Sequence, residues 1–261
     1  MVELATETFL FLVAIAAVAG FIDAIAGGGG LLTLPALLGA GVPPVMALGT
    51  NKVQSSFGAA TATYTFWRSG HVDLARMAWP VLASLLGAAL GGLVVQRIDP
   101  SFLAGLVPGL LIVIALYFLL SPAMSEVDLR HRIEIPAYSA VAAAIGFYDG
   151  FFGPGTGSFF TISLISLLGF GLIRATANTK LLNFASNIGA LIVMTAGGHI
   201  YWTLGLAMAG ASIVGGRLGS MTAIRFGGKL IRPLLVVMSV GMTIRLLADP
   251  KNPIAQMLWA G

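Results

Sequence analysis

The sequence predicts an all-α, polytopic membrane protein with about eight transmembrane helices and two short broken or re-entrant segments, built as two internal repeats. Three observations carry this: an extreme apolar composition, a series of apolar runs of spanning length, and a set of landmarks that recurs at one spacing. Of 261 residues, 57% are hydrophobic before 34 glycines are counted, and 9% are charged. An ordinary globular domain has about 45 to 50% apolar residues with glycine included, and about 25% charged. Such a chain has too little polar surface to face water and far too much apolar surface for disorder. Its 14 basic and 10 acidic side chains give a net +4. They are scattered, which argues against the basic patch of a nucleic-acid binder. With no cysteine, the chain forms no disulfide, thiolate nucleophile, iron–sulfur cluster or Cys-based zinc site.

Crossing about 30 Å of hydrocarbon takes roughly 17 to 25 helical residues. Eight stretches fit: 9–26, 45–67, 78–96, 102–120, 137–152, 175–196, 202–224 and 230–247. Helices are expected because backbone amides in lipid must be paired internally, and the short alternating segments of a closed barrel are missing. The first stretch follows Glu3 and Glu7, where a cleavable signal would carry Lys or Arg, so it is expected to remain in the mature protein. The chain therefore reads as a single membrane domain, 1–261: repeat one over 8–120, a polar connecting loop at 121–136, repeat two over 137–248 and a tail at 249–261.

The repeat is visible on sliding the second half over the first. Gly20-Phe21-Ile22-Asp23 aligns with Gly146-Phe147-Tyr148-Asp149 at an offset of 126. After a two-residue insertion the offset is 128, and Thr50-Asn51-Lys52 faces Asn178-Thr179-Lys180, while Gly70-His71 faces Gly198-His199. Duplication is the usual architecture of secondary transporters, which bind substrate near the midplane between repeats. If residues 31–48, with Pro35, Pro43 and Pro44, span the membrane, the repeats are inverted; if they dip and return, the repeats are parallel.

Each repeat opens with a helix that runs into a glycine cluster, followed by a short apolar piece: 31–40 after Gly27-Gly28-Gly29-Gly30, and 158–168 after Gly153-Pro154-Gly155-Thr156-Gly157. Ten or eleven helical residues reach about 16 Å, half a bilayer. Irregular backbone at that depth belongs beside a polar cavity, and a helix starting there offers unpaired amides to an anion. Gly28, Gly29, Gly30, Gly155 and Gly157 are the candidate anion-facing positions. Gly87, Gly91, Gly215 and Gly219, at small-xxx-small spacing, read instead as helix packing.

Lys52 and Lys180 stand in long apolar stretches, where an ammonium costs a few kcal/mol unless it snorkels, pairs or faces water. Their recurrence beside Thr50-Asn51 and Asn178-Thr179 predicts a shared anion site, extended along the same helices by Gln54, Ser55, Ser56, Asn183, Ser186 and Asn187. Asp23 and Asp149 are the matching acids, with three roles open: neutralising the lysines, accepting amides at a helix break, or carrying a proton. Arg217 breaks the symmetry and is expected to make a local pair or an asymmetric substrate contact. His71 and His199 lack an acidic cluster nearby, so no metal site is expected. Ser158 has no evident base, which argues against an enzyme.

The stretches GFIDAIAGGGGLLTLPALLGAGVPPVMALGTNKVQSSFGA and GFYDGFFGPGTGSFFTISLISLLGFGLIRATANTKLLNFAS resemble the two signature repeats of the sulfite exporter TauE/SafE family of bacterial and archaeal permeases. The similarity covers essentially the whole chain. It implies a multi-pass plasma-membrane carrier for small sulfur-containing oxyanions such as sulfite, thiosulfate or organosulfonates, with no cofactor. The expected partners are the small anionic substrate and the lipid bilayer, with the proton as a candidate coupling ion and no nucleic acid. The sequence carries no signal for an oligomeric state. A passive anion channel of the same build, or a carrier of another small organic anion, is the alternative. The second repeat departs from the first in having GPGTG where the first has GGGG.

Overall fold

The computed structural model describes residues 4–99 and 133–227, which form eight α-helices and no strands. The expected spans 102–120 and 230–247, most of the polar loop and the tail lie outside the described residues. In chain order the helices are α1 (Thr6–Ala26), α2 (Gly30–Gly39), α3 (Pro44–Arg68), α4 (Ala78–Val95), α5 (Ile135–Phe151), α6 (Thr156–Leu168), α7 (Leu172–Ala196) and α8 (Trp202–Phe226). The two short helices, α2 and α6, fall where the glycine clusters interrupt the chain.

Local chemistry accounts for the boundaries. α1 stops at Gly27, whose left-handed backbone (φ 80) lets its amide return to the Asp23 carbonyl at 2.8 Å. α3 and α5 each carry a proline in the first turn, where a missing N–H costs nothing. The landmarks Gly70-His71 and Gly198-His199 are the same C-terminal cap on α3 and α7. Both glycines are left-handed (φ 76 and 71), and both histidine amides reach back 3.1 Å, to the carbonyls of Phe66 and Met194. Helix termination explains the recurrence of the glycines, while the histidines contribute their backbone amides.

Helix directions follow from contacts between close-packed glycines. Gly87 of α4 lies against Ala143 and Phe147 of α5, and Gly91 one turn later against Phe147 and Phe151, so α4 and α5 run the same way. Gly215 against Ala17 and Gly219 against Phe21 give the same relation for α8 and α1. α3 runs with α8, as Val53 meets Gly205 and Gly58 meets Gly216, and α4 runs with α7. α3 and α7 are antiparallel: the Tyr201 amide beyond α7 donates to Thr50 near the start of α3, and Asn178 near the start of α7 donates to the His71 carbonyl beyond α3. Thus α1, α3 and α8 point one way, and α4, α5 and α7 the other. At Gly87, Gly91, Gly215 and Gly219 an added Cβ would collide with a carbonyl oxygen of the neighbouring helix. This is the packing role that their spacing predicts.

The distribution of polarity is inverted relative to a water-soluble bundle. Leu10, Phe11, Val18, Leu82, Leu86, Leu90, Val214 and Leu218 are exposed, whereas Asn51, Lys52, Gln54, Thr179, Lys180, Asn183 and Asn187 are buried. Two apolar clusters occupy opposite ends of the bundle. One gathers Leu12, Leu34, Leu48, Met194 and Leu204; the other gathers Ile25, Phe66, Tyr138, Phe160 and Leu182. The buried polar residues of α3 and α7 lie between them. Among the described residues two helices, α1 and α4, are long and apolar enough to cross a membrane on composition alone, with mean hydropathies of 2.5 and 1.9. The longer α3, α7 and α8 spend part of their length on buried polar groups or small residues.

Candidate functional site

Four helix ends converge at mid-bundle: the C-termini of α1 and α5 and the N-termini of α2 and α6. Their backbones touch. A Cβ at Gly27 would lie 2.5 Å from the Gly157 carbonyl carbon, and one at Gly157 2.5 Å from Gly27 Cα, so this crossing requires glycine on both sides. Ser158 donates from Oγ to the Ala26 carbonyl at 2.8 Å, which locks the start of α6 onto the end of α1. Its hydroxyl is therefore a clamp. Tyr148 holds the intervening loop of the second half by donating to the Pro154 carbonyl at 2.6 Å.

A polar cavity lies at this junction. Asp23, Asp149, Asn51, Ser55, Asn183 and Asn187 contribute its side chains, and Gly27, Gly30, Gly153, Gly155, Thr156 and Gly157 its backbone wall. The space open to the centre of a water molecule is about 20 Å³, whereas a single water needs roughly 10 to 15 Å³ by that measure. The cavity thus has room for about one water molecule. Among the described residues, no hydrogen bond engages the amides of Gly30 and Gly157 at its wall. The same holds for two buried acceptors of lining residues, Asp149 Oδ2 and Asn183 Oδ1.

The lysines and aspartates pair crosswise. Lys52 of α3 lies 2.9 Å from Asp149 Oδ1 of α5, both side chains almost fully buried (1% and 4% exposed). Lys180 of α7 reaches Asp23 of α1, contacting Oδ2 at 3.2 Å and the Asp23 carbonyl oxygen. Each half therefore neutralises the other's ammonium. The two aspartates differ in their second oxygen. Asp23 Oδ1 accepts the Gly29 amide at 3.2 Å, while Asp149 Oδ2 receives no donor. Their loops differ correspondingly: Gly29 is right-handed (φ −56), whereas the aligned Gly155 is left-handed (φ 82).

The remaining predicted positions fall into two groups. Asn51, Asn183, Gly30, Gly155 and Gly157 line the cavity; Lys52, Lys180, Thr50, Gln54, Asn178, Thr179, Gly28 and Gly29 do not. Thr50 and Asn178 bind the cap loops of the opposite half. Thr179 pairs with Thr161 of α6 at 3.0 Å, as Asn51 does with Thr33 of α2 at 2.5 Å. Gln54 donates to Ser212 of α8 at 3.0 Å. The Gly28 carbonyl accepts from Leu31, and Gly29 serves Asp23. An ammonium in a low-dielectric interior takes the nearest carboxylate, which explains why the lysines stand behind the aspartates. Arg217, expected to make a local pair or an asymmetric substrate contact, is exposed on α8 near Val214 and Leu218 and does not line the cavity. Gly27, Gly153 and Thr156 are lining residues outside the predicted set, although the glycine runs already contained them. Ser55 and Asn187 follow Asn51 and Asn183 by one helical turn and share their faces.

Chemically, the junction offers two helix N-terminal amides for an anion. It also offers amide side chains for orientation, and a carboxylate oxygen with spare capacity. No group of three or more His, Asp or Glu side chains suited to a metal occurs among the described residues.

The model of the family described as sulfite exporter TauE/SafE matches residues 12–246. The chain is 47% identical over 262 residues to a "probable membrane transporter protein ORF9" of Sinorhizobium, covering 100% of both chains. It is 42% identical over 248 residues to a "probable membrane transporter protein" of Haemophilus influenzae, covering 95% of this chain and 97% of that one. With the "probable membrane transporter protein YfcA" of Escherichia coli K12 it shares 44% identity over 236 residues, covering 90% and 88%. No solved structure matches the chain.

Proposed function

Because the chain belongs to the sulfite exporter TauE/SafE family, a family of membrane transporters to judge by its relatives' names, we propose that it is a secondary transporter. It moves small sulfur-containing oxyanions, of the sulfite, thiosulfate or organosulfonate type, across the plasma membrane by alternating access. The observation that carries this reading is the small polar cavity at which two helix N-termini meet. The chain is multi-pass and built as inverted repeats over 8–120 and 137–248, with α2 and α6 each turning the chain back so that every repeat makes an odd number of crossings. The opposed directions of α1 and α5, of α3 and α7, and of α4 and α8 support that arrangement.

In this mechanism the oxyanion sits between the Gly30 and Gly157 amides and is oriented by Asn51 and Asn183, with Gly155 giving close backbone access. Lys52 and Lys180 supply the compensating charge from behind, while Thr50, Gln54, Asn178 and Thr179 hold the helices that carry them. The cavity in this conformation is too small for an oxyanion, so binding and release require one group of helices to move against the other, as in carriers with inverted repeats. The test is flux in proteoliposomes holding the purified protein, with labelled sulfite, thiosulfate and a sulfonate. A carrier gives saturable uptake and exchange of external label against internal unlabelled anion. Flux that rises linearly with concentration and shows no exchange identifies a channel and overturns the proposal.

A further inference from the structure

We propose that Asp149 is the proton site of the cavity, taking up one proton at Oδ2 together with one oxyanion; this deepens the transport reading above and rests on it. The starting observation is an asymmetry between two aspartates that the sequence aligns. Asp23 has both carboxylate oxygens engaged, Oδ1 by the Gly29 amide and Oδ2 by Lys180. Asp149 has one engaged, Oδ1 by Lys52, while Oδ2 is buried without a partner. A buried, unmatched carboxylate oxygen is costly and is rare enough to need a reason. In the second half the loop is Gly153-Pro154-Gly155-Thr156-Gly157. The Gly153 amide returns to the Tyr148 carbonyl and the Thr156 hydroxyl to the Gly153 carbonyl, so no donor from this loop serves Asp149.

The groups around Asp149 define what can meet Oδ2. Lys52 comes from α3 and touches Oδ1. On α5 itself Tyr148 is committed to Pro154. α4 faces α5 with Ser84, Gly87, Ala88 and Gly91, none of them charged, and α6 begins with Thr156. Across the cavity Asp23 of α1 and Lys180 of α7 form their own pair. With every charge matched, the empty site has zero net charge. An oxyanion entering it would set its lone pairs against those of Asp149 and add one uncompensated charge at low dielectric, which is expensive.

A proton removes both obstacles. Taken from water on the open side, it forms an O–H bond at Oδ2 that donates to the oxyanion, a short charge-assisted hydrogen bond, and the Lys52 charge becomes available to the anion. The loaded site again sums to zero: the ammonium groups of Lys52 and Lys180, the Asp23 carboxylate and the monoanion. On the other side the anion leaves and Oδ2 returns the proton to water. Proton and anion each favour the other's binding by the same factor, as linkage requires.

The test uses the full chain in nanodiscs, with methanesulfonate as probe because it stays a monoanion throughout. Calorimetry in buffers of different ionisation enthalpy should count one proton taken up per anion. Affinity should rise about tenfold per unit fall in pH, and Asp149→Asn should bind independently of pH. Asp23→Asn should keep the proton uptake. Proton uptake persisting in Asp149→Asn overturns the proposal, as does an affinity that follows sodium at fixed pH. Infrared difference spectra on acidification, without anion, give a separate readout. A protonated-carboxyl C=O band that disappears in Asp149→Asn and survives in Asp23→Asn supports the assignment. The absence of that band, or its loss in Asp23→Asn instead, refutes it. If the band behaves as expected but no oxyanion binds, the transport reading fails while the proton site stands.

Discussion

The ammonium of Lys52 lies 2.9 Å from the carboxylate of Asp149, and the two residues belong to different halves of the chain. Because Lys180 and Asp23 pair in the reverse sense, the two bridges tie α3 to α5 and α7 to α1 beside the cavity. Removing one partner leaves a buried unpaired charge, which costs about 3 to 5 kcal/mol. Asp149→Leu is therefore expected to lower the melting temperature of the detergent-solubilised protein sharply, and Lys52→Met/Asp149→Leu to recover most of the loss. Additive effects in the double-mutant cycle would show that the two residues do not interact.

Thr50 and Asn178 anchor the start of one long helix to the cap loop of the other. Each such hydrogen bond contributes about 0.5 to 1.5 kcal/mol. Thr50→Val should reduce thermal stability modestly while leaving the anion affinity measured by titration unchanged. A large loss of affinity with unchanged stability would make Thr50 a substrate contact.

Gly91 and Gly210 both lie within helices, yet differ in surroundings. A Cβ at Gly91 would strike the Phe147 carbonyl, whereas nothing lies within 4 Å of one at Gly210. Gly91→Ala should cost about 1 to 3 kcal/mol by overpacking, and Gly210→Ala should stabilise by up to about 1 kcal/mol through helix propensity. Thermal unfolding of the two variants side by side checks the ranking.

Ser55 lines the cavity, and Thr61 on the same helix does not. Ser55→Leu should fill the small space and cut oxyanion uptake in proteoliposomes by at least about tenfold, equivalent to ~1.4 kcal/mol. Thr61→Val should transport as the parent protein does. Normal uptake by a well-inserted Ser55→Leu protein would place the substrate elsewhere.

Lys180→Gln keeps a donor but removes the charge facing Asp23. If Lys180 supplies charge to the anion, binding of sulfite or thiosulfate should weaken about tenfold or more, equivalent to ~1.4 kcal/mol. Unchanged affinity in a titration would confine this lysine to holding α7 against α1.

Much of the helical layout was legible in the chain because apolar runs and glycine or proline punctuation act locally. The expected spans 9–26, 78–96 and 202–224 match α1, α4 and α8 to within a few residues, and the short pieces 31–40 and 158–168 match α2 and α6. The glycine spacing also identified the close-packed faces at Gly87, Gly91, Gly215 and Gly219. The site was legible only as a set of residue types. Periodicity placed Asn51 with Ser55 and Asn183 with Asn187, but it could not say which faces meet. Hence residue type alone places Gln54 and Thr179 with the cavity, whereas in the structure they bond neighbouring helices.

By itself the sequence determined an apolar, helical chain with two glycine breaks and a matched lysine and aspartate in each half, since composition and spacing are properties of one segment at a time. Only the tertiary structure decided that each lysine pairs with the aspartate of the other half, and that Asp149 keeps an oxygen without a donor. The reason is that an ion pair depends on which helices are brought together and in what direction. Antiparallel packing of α3 and α7 sets those neighbours, and nothing within either segment alone specifies it.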